Sequence, residues 1–295
     1  MEFGAHLPTY WTDYGQSSMP MAIEAAAKAA QTLGYASVWT NDHVIAPGNQ
    51  TYVVQIIEPL TTLASLIHLV PGVALGTSTL VLPQRNAVVV AKQAAALAVL
   101  SGGRFILGIG VGWLREEFAF LGADFERRGA VADEAIQAMR ALWREPRAAF
   151  HGQFYDFDDA LFYPKPLGGG PPLWMCGNTR PMIRRAARYG DAWNPFGIGL
   201  EEFKAGVEYL HEQAQGREVP MIAAHLRIRI GAPPQGDPDT DAHITGDIDA
   251  VTQTIEAYRQ AGLDYLICDF IAHEVNDLLR QMELMAEHIV PRLRA

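Results

Sequence analysis

Arg104-Phe-Ile-Leu-Gly-Ile-Gly-Val-Gly-Trp113 joins an apolar strand to a glycine-rich exit, and its reading decides the fold. A strand without a polar face has to be covered on both sides, as in a parallel sheet flanked by helices. Gly108, Gly110 and Gly112 remove side chains where that strand ends. Two readings of the glycines stand at this point. Either a flat or phosphorylated ligand lies on the bare backbone, or the glycines let the strand twist and a helix pack close.

Outward from this stretch, short apolar segments alternate with helical ones in the order of βαβ units. Strands are expected at Phe3 to Pro8, Ser37 to Asn41, Val73 to Leu82, Phe105 to Gly110, Leu173 to Gly177, Ala192 to Phe196, Met221 to Ile230 and Tyr265 to Phe270. Helices fit between them at Pro20 to Leu33, Pro59 to Leu69, Ala87 to Leu100, Val131 to Trp143, Arg180 to Tyr189, Glu201 to Gln215, Asp249 to Ala261 and Glu274 to His288. Eight such units predict an α/β fold, a closed (β/α)8 TIM barrel forming a single domain over residues 1–295. A doubly wound open sheet is the alternative. Two connections exceed what a barrel needs and are expected as insertions at its C-terminal face. Phe150 to Gly170 reads as a lid or short hairpin beside the mouth, and Gly231 to Gly246 as a mobile surface loop.

With 295 residues, 49% hydrophobic and 19% charged, the chain buries one large core. A net charge of −10 and a pI near 5.3 disfavour nucleic acid and anionic membranes as partners and favour a small molecule. Cys176 and Cys268 sit far apart in apolar runs and read as buried thiols in a reducing compartment. A cytoplasmic protein is expected, because the segment opening at Phe3 carries no secretory leader and no apolar run approaches the ~18 residues of a bilayer span. The helices at 59–69 and 87–100 lack a clear polar face, the second having only Lys92 and Gln93, which predicts a homodimer through this pair.

Barrel chemistry sits at the C-terminal ends of the strands. The second strand ends Trp39-Thr-Asn-Asp-His43, and a histidine there moves protons near neutral pH while an adjacent carboxylate, Asp42, sets its tautomer or pKa. The alternative is a histidine that closes a loop by hydrogen bonding. Gly76-Thr77-Ser78-Thr79 is small where a strand is usually bulky, which leaves room for a ring system or marks a bulge. Asn86 is placed as the N-cap of the helix that follows. At Gly177-Asn178-Thr179-Arg180-Pro181, backbone amides, a helix dipole and a guanidinium converge as in a phosphate site, although an ordinary cap has the same residues.

Trp11, Trp113, Phe196 and the Phe150 to Tyr163 loop are candidates for an apolar substrate wall or for plain packing. Glu116 and Glu117 read as solvating or capping the next helix, with one of them free to face the mouth. Arg227 and Arg229 either bind a substrate anion or pair with barrel carboxylates. A metal-dependent hydrolase is disfavoured because His6 has no spaced partner histidine on its strand. Gly108-Ile-Gly-Val-Gly departs from the GxGxxG spacing of a dinucleotide site.

In order along the chain, Asn41-Asp42-His43, Gly76-Thr77-Ser78, Arg85-Asn86, Ser101-Gly-Gly-Arg104 through Gly112-Trp113, and Gly177-Asn178-Thr179 resemble the luciferase-like flavin and deazaflavin oxidoreductases. The segment Gly110-Val-Gly-Trp-Leu-Arg-Glu-Glu-Phe118, with Leu121-Gly122 and Arg127-Arg128-Gly129, looks most like the coenzyme F420-dependent branch. Ile244-Thr-Gly-Asp-Ile and Gly262-Leu-Asp-Tyr-Leu-Ile match the last βα units of that family. The resemblance implies a tricyclic ring in the barrel mouth near Asn41, with His43 and Asp42 as catalytic residues. It implies a non-proline cis peptide at Ser78-Thr79 supporting the ring. Gly110, Val111 and Gly112 would flank the cofactor tail, and Gly177, Asn178, Thr179 and Arg180 would hold its phosphate. The implied reaction is hydride transfer between F420 and a small organic substrate, His43 moving the accompanying proton. An FMN-dependent monooxygenase using reduced flavin and O2 is the alternative, and a non-catalytic flavin- or deazaflavin-binding protein is another. Arg180, Arg184 and Arg185 favour an anionic tail.

Overall fold

The computed structural model describes residues 1–9, 15–49, 56–232 and 243–294. The chain lays down β1 (Glu2–His6), β2 (Ser37–Thr40), β3 (Ala74–Thr77), β4 (Leu80–Val81) and β5 (Phe105–Gly110). A hairpin of β6 (Ala148–His151) and β7 (Asp156–Ala160) follows, then β8 (Leu173–Cys176), β9 (Ala192–Asn194), β10 (Met221–Ile230), β11 (His243–Gly246) and β12 (Tyr265–Phe270). Strand β1 pairs in parallel with both β2 and β12, and the parallel pairing of β9 with β10 closes the ring. The fold is therefore a closed (β/α)8 barrel, and the open sheet is excluded.

Around it run α1 (Gly15–Thr32), α2 (Pro59–Leu66), α3 (Ala87–Leu100), α4 (Arg115–Phe120), α5 (Arg128–Arg144), α6 (Arg180–Tyr189), α7 (Leu200–Ala214), α8 (Ile248–Gln260) and α9 (Val275–Leu284). One π-helical turn at Met285–Ile289 leads into α10 (Val290–Arg294). Asn86 caps α3 as expected, its side chain accepting from the amides of Val88 and Val89 at 3.0 and 3.3 Å. Both cysteines are buried and free. No described helix is long and apolar enough to cross a membrane.

The lower barrel is plugged by aromatic rings. Trp39 and Trp174 lie 4.7 Å apart between centroids, with Tyr265 edge-on to Trp174 at 5.0 Å. A Cβ on Gly4 or Gly76 would lie 2.4 or 2.3 Å from the Trp39 indole. The space left by Gly76 is thus filled by a tryptophan and not by a ligand ring. The same logic decides two of the three glycines after Arg104. A Cβ on Gly108 would meet the Thr77 carbonyl at 1.8 Å, and one on Gly110 would meet the Thr79 side chain at 2.7 Å. These two glycines serve strand packing, whereas Gly112 has φ +75° at the turn into α4.

Two segments depart from the expected boundaries, and a third takes one of its two expected forms. The third strand breaks at Ser78, whose peptide bond to Thr79 is cis. Residues 243–246 are a strand paired with the end of β10 and not part of a loop, while 233–242 lie outside the described residues. The long connection after α5 is a hairpin that lies along that helix, where Glu134 accepts from the amides of Gln153, Phe154 and Tyr155 at 2.9, 2.6 and 2.7 Å.

Candidate active site

Above the tryptophan plug the barrel interior becomes polar. His6, Ser78, Asn194, His225 and Asp269 are all buried there, contributed by five different parts of the barrel. Ser78 is the hub. Its Oγ lies 2.9 Å from His225 Nδ1 and accepts from Asn194 Nδ2 at 3.0 Å. Asp269 faces His225 Nε2 at 3.7 Å, His6 Nδ1 at 3.9 Å and Arg227 Nε at 3.9 Å. Burial opposes the charge on Asp269, but His225 and the Arg227 guanidinium beside it outweigh it and hold the carboxyl well below the usual range. Burial pushes His6 down to about 3, so its ring is neutral. His6, His225 and Asp269 have ligand atoms within 4.8 Å of one another, a donor set of the kind that takes a metal. Arg227 already places a cation beside the same carboxylate, which opposes a second one.

His43 leaves β2 toward the mouth, half-buried, with its Nδ1 3.0 Å from Glu117 Oε2 on α4. Glu117 is itself buried and held from four sides. It accepts from the amides of Val44 and Ile45 at 2.7 and 3.3 Å and from Gln84 Nε2 at 3.0 Å. Burial disfavours its charge, but the bonds from His43, Gln84 and Val44 prevail and lower its pKa below that of an ordinary glutamate. The Trp113 ring stands edge-on to His43 at 5.9 Å and is 56% exposed.

The expected pairing of His43 with its neighbour Asp42 does not form. Consecutive side chains of an extended segment point to opposite sides. Asp42 is directed to Arg85, accepting at 2.7 and 3.3 Å, and to the amide of Val81 at 3.0 Å. Burial raises its pKa, and Arg85 works against that rise. Glu117, which the sequence reading left between capping and the mouth, takes the place assigned to Asp42.

The remaining candidates divide similarly. Asn41 Oδ1 accepts from Thr9 Oγ1 at 2.7 Å, which leaves its Nδ2 as the donor end. Both ends of the Asn178 amide are committed to the Phe196 backbone at 2.9 Å, so this side chain staples two strand exits and is not free for phosphate. Gly177 has φ +140°, a conformation other residues rarely adopt. Thr179 and Arg180 are exposed at the start of α6, where the Thr179 hydroxyl makes no cap. Val111 and Gly112 are half-buried beside the mouth. Phe196 is exposed and edge-on to His225 at 4.7 Å; Trp11 lies outside the described residues. Arg229 pairs with Asp277 and donates to the Ile271 carbonyl at 3.0 Å, so the carboxylate reading holds for it. Sequence reasoning missed Asn194, His225 and Asp269. Their one sequence signal is a polar residue at an inward position of an otherwise apolar strand.

A family model described as luciferase-like monooxygenase matches residues 1–234. The uncharacterized protein Rv0940c of Mycobacterium tuberculosis is 33% identical over 212 residues, covering 66% of this chain and 73% of the relative. An FMNH(2)-dependent dimethylsulfone monooxygenase of Pseudomonas fluorescens is 33% identical over 144 residues, 48% of this chain and 37% of that one. Among solved structures, monooxygenase RslO1 from Streptomyces bottropensis superposes with a TM-score of 0.86 at 22% identity over 99% of both chains. An F420-dependent secondary alcohol dehydrogenase in complex with an F420-acetone adduct superposes at 0.82 with 18% identity, over 100% of this chain and 99% of that one. At these identities the structures share the fold.

Proposed function

Because the chain belongs to the luciferase-like monooxygenase family, we propose that it is an F420-dependent oxidoreductase acting on a small organic substrate, with His43 moving the proton that accompanies a hydride. The observation that carries this reading is the His43–Glu117 pair at the barrel mouth. An ionised Glu117 accepts from Nδ1–H, which fixes the tautomer and leaves Nε2 as the exchangeable site. Gln84 and the Val44 and Ile45 amides hold the carboxylate so that it orients the ring without itself being protonated. Asp42 acts at one remove, fixing the exit of β2 through Arg85 and Val81.

The residues at the mouth fit a phosphate-bearing cofactor. The uncapped start of α6 and the exposed Arg180 suit its phosphate, with Gly177 and Thr179 beside them. Val111 and Gly112 would flank the tail, while Asn41, Ser78 and Thr79 would meet the ring. When bound, the deazaflavin supplies two-electron hydride chemistry, and the protein supplies orientation, water exclusion and the proton. We propose in addition that the chain works as a homodimer through α2 and α3.

A second reading, an FMN-dependent monooxygenase using O2, is favoured by the likeness to the dimethylsulfone enzyme over 48% of the chain. A side-by-side fluorescence titration of the apoprotein with F420 and FMN separates the two. The expected outcome is tighter binding of F420; a preference for FMN overturns the hydride-transfer reading.

A further inference from the structure

The outer groove between α6 and α7 carries an unusual row of cations. Arg180, Arg184 and Arg188 recur at i, i+4 and i+8 of α6, and Arg217 follows the C-terminal end of α7. Arg184, Arg188 and Arg217 line a cleft of about 470 Å³. Among the described residues none of these four guanidiniums is ion-paired; Asp133, also in the cleft, is engaged by Arg185 at 2.7 Å. Aromatic groups position three of them without cancelling their charge. The Arg180 guanidinium lies 5.1 Å over the Tyr209 ring, Arg184 Nη1 donates to the Tyr209 hydroxyl at 2.9 Å, and Arg188 lies 4.9 Å over the Tyr189 ring.

Such a row disfavours the isolated helix. Like charges at i and i+4 repel, and a cation at a helix N-terminus opposes the dipole. In a chain of net charge −10 this concentration of unneutralised arginine is a feature whose cost a polyanion would offset. The row starts at the helix end proposed above for the cofactor phosphate and runs about 12 Å along α6. A chain of roughly four extended residues covers that distance.

We infer that the α6–α7 groove is a binding site for a linear polycarboxylate, namely the oligoglutamyl tail of the cofactor, seated on Arg184, Arg188 and Arg217. The inference rests on the F420 reading and adds what that reading lacks, a site that distinguishes the long anionic tail from a short phosphate. Bidentate pairing of guanidinium with carboxylate supplies the recognition, and the exposed setting makes it salt-dependent.

The test uses the apoprotein, F420 with a tail of several glutamates, and the truncated cofactor that ends at its phospholactyl group, each titrated by fluorescence. The wild type is expected to bind the long form on the order of tenfold more tightly, as a few exposed ion pairs allow, with the difference shrinking as salt rises. The triple variant Arg184→Gln, Arg188→Gln, Arg217→Gln is expected to lose that difference and keep its affinity for the truncated form. Equal binding of both forms by the wild type, or a tail preference that survives in the triple variant, overturns the groove while leaving the F420 reading intact. Binding of FMN with neither F420 form overturns the cofactor reading, and the groove assignment falls with it.

Discussion

His43 and Glu117 form the unit on which activity is expected to depend, and each has its own signature. His43→Ala removes the proton carrier and is expected to lower kcat by about 10²-fold or more, with cofactor affinity little changed. Glu117→Gln keeps the shape but offers a weaker partner to Nδ1, so a smaller loss of kcat is expected. Steady-state kinetics beside a cofactor titration check both, and unchanged turnover in His43→Ala would dismiss the assignment. His6 makes a separate prediction, on stability. Its folded pKa of about 3 lies below the ordinary histidine value of 6.5, so between these values the unfolded chain binds the extra proton. Stability is therefore complete above about pH 6.5 and declines on acidification, by at most about 1.4 kcal/mol per pH unit from this group. Asp269, also lowered, adds to the loss at more acid pH, while the raised Asp42 opposes it. Calorimetry between pH 7 and pH 5 is expected to show Tm falling less in His6→Gln than in the wild type; parallel curves would show that His6 is not the source.

The turn from β5 into α4 carries the site at the scale of elements. Gly112 has φ +75°, and a Cβ there would lie 2.7 Å from both Phe118 and Val81. Phe118 adjoins Glu117, so Gly112→Ala is expected to displace the carboxylate from His43 as well as to cost roughly 1–3 kcal/mol in stability. Denaturant midpoints and kcat measured together test this, and a variant with wild-type values in both would remove the turn from the mechanism. Elements with a continuous pattern and sharp punctuation were legible in sequence. Strands β5, β10 and β12 and helices α3 and α6 match their expected bounds, because Asn86, Pro181 and the flanking glycines mark where each pattern stops. The third strand was expected as one run from Val73 to Leu82 and is two pieces; the small residues Gly76-Thr77-Ser78-Thr79 marked the place of the break, and the cis bond at Ser78-Thr79 is the one that the family resemblance implied. The partner of His43 was not legible. Adjacency pointed to Asp42, but extended geometry turned that residue to Arg85 and brought Glu117 across 74 positions. The His6, His225 and Asp269 cluster was hidden for a related reason, because three strands far apart in sequence meet only when the barrel closes.

The whole molecule presents an apolar surface that its own fold leaves uncovered. Helix α3 buries Ala87, Val90, Ala91, Ala94, Ala95, Leu97 and Ala98 against the barrel. On its outer side Val89, Val99 and Leu100 remain 55%, 44% and 60% exposed, and Val88 adds a further 38%. The single charge on this helix is diverted, since Lys92 donates to the Tyr163 carbonyl and lies over the Phe162 ring. The outward residues of α2 include Thr61, Ala64 and Ser65, small enough for another helix to approach closely. Two copies related by a twofold axis would cover α3 with α3 or α2, a self-complementary arrangement that removes apolar area from water without opposing the net charge of −10 at close range. Light scattering coupled to size exclusion at micromolar concentration is expected to give twice the 32.4 kDa chain mass. The double variant Val89→Glu, Leu100→Glu places like charges in the proposed contact and is expected to run as a folded monomer, with an unchanged circular dichroism spectrum. A wild-type monomer under these conditions would sink the dimer, and a double variant that stays dimeric would move the interface away from α3.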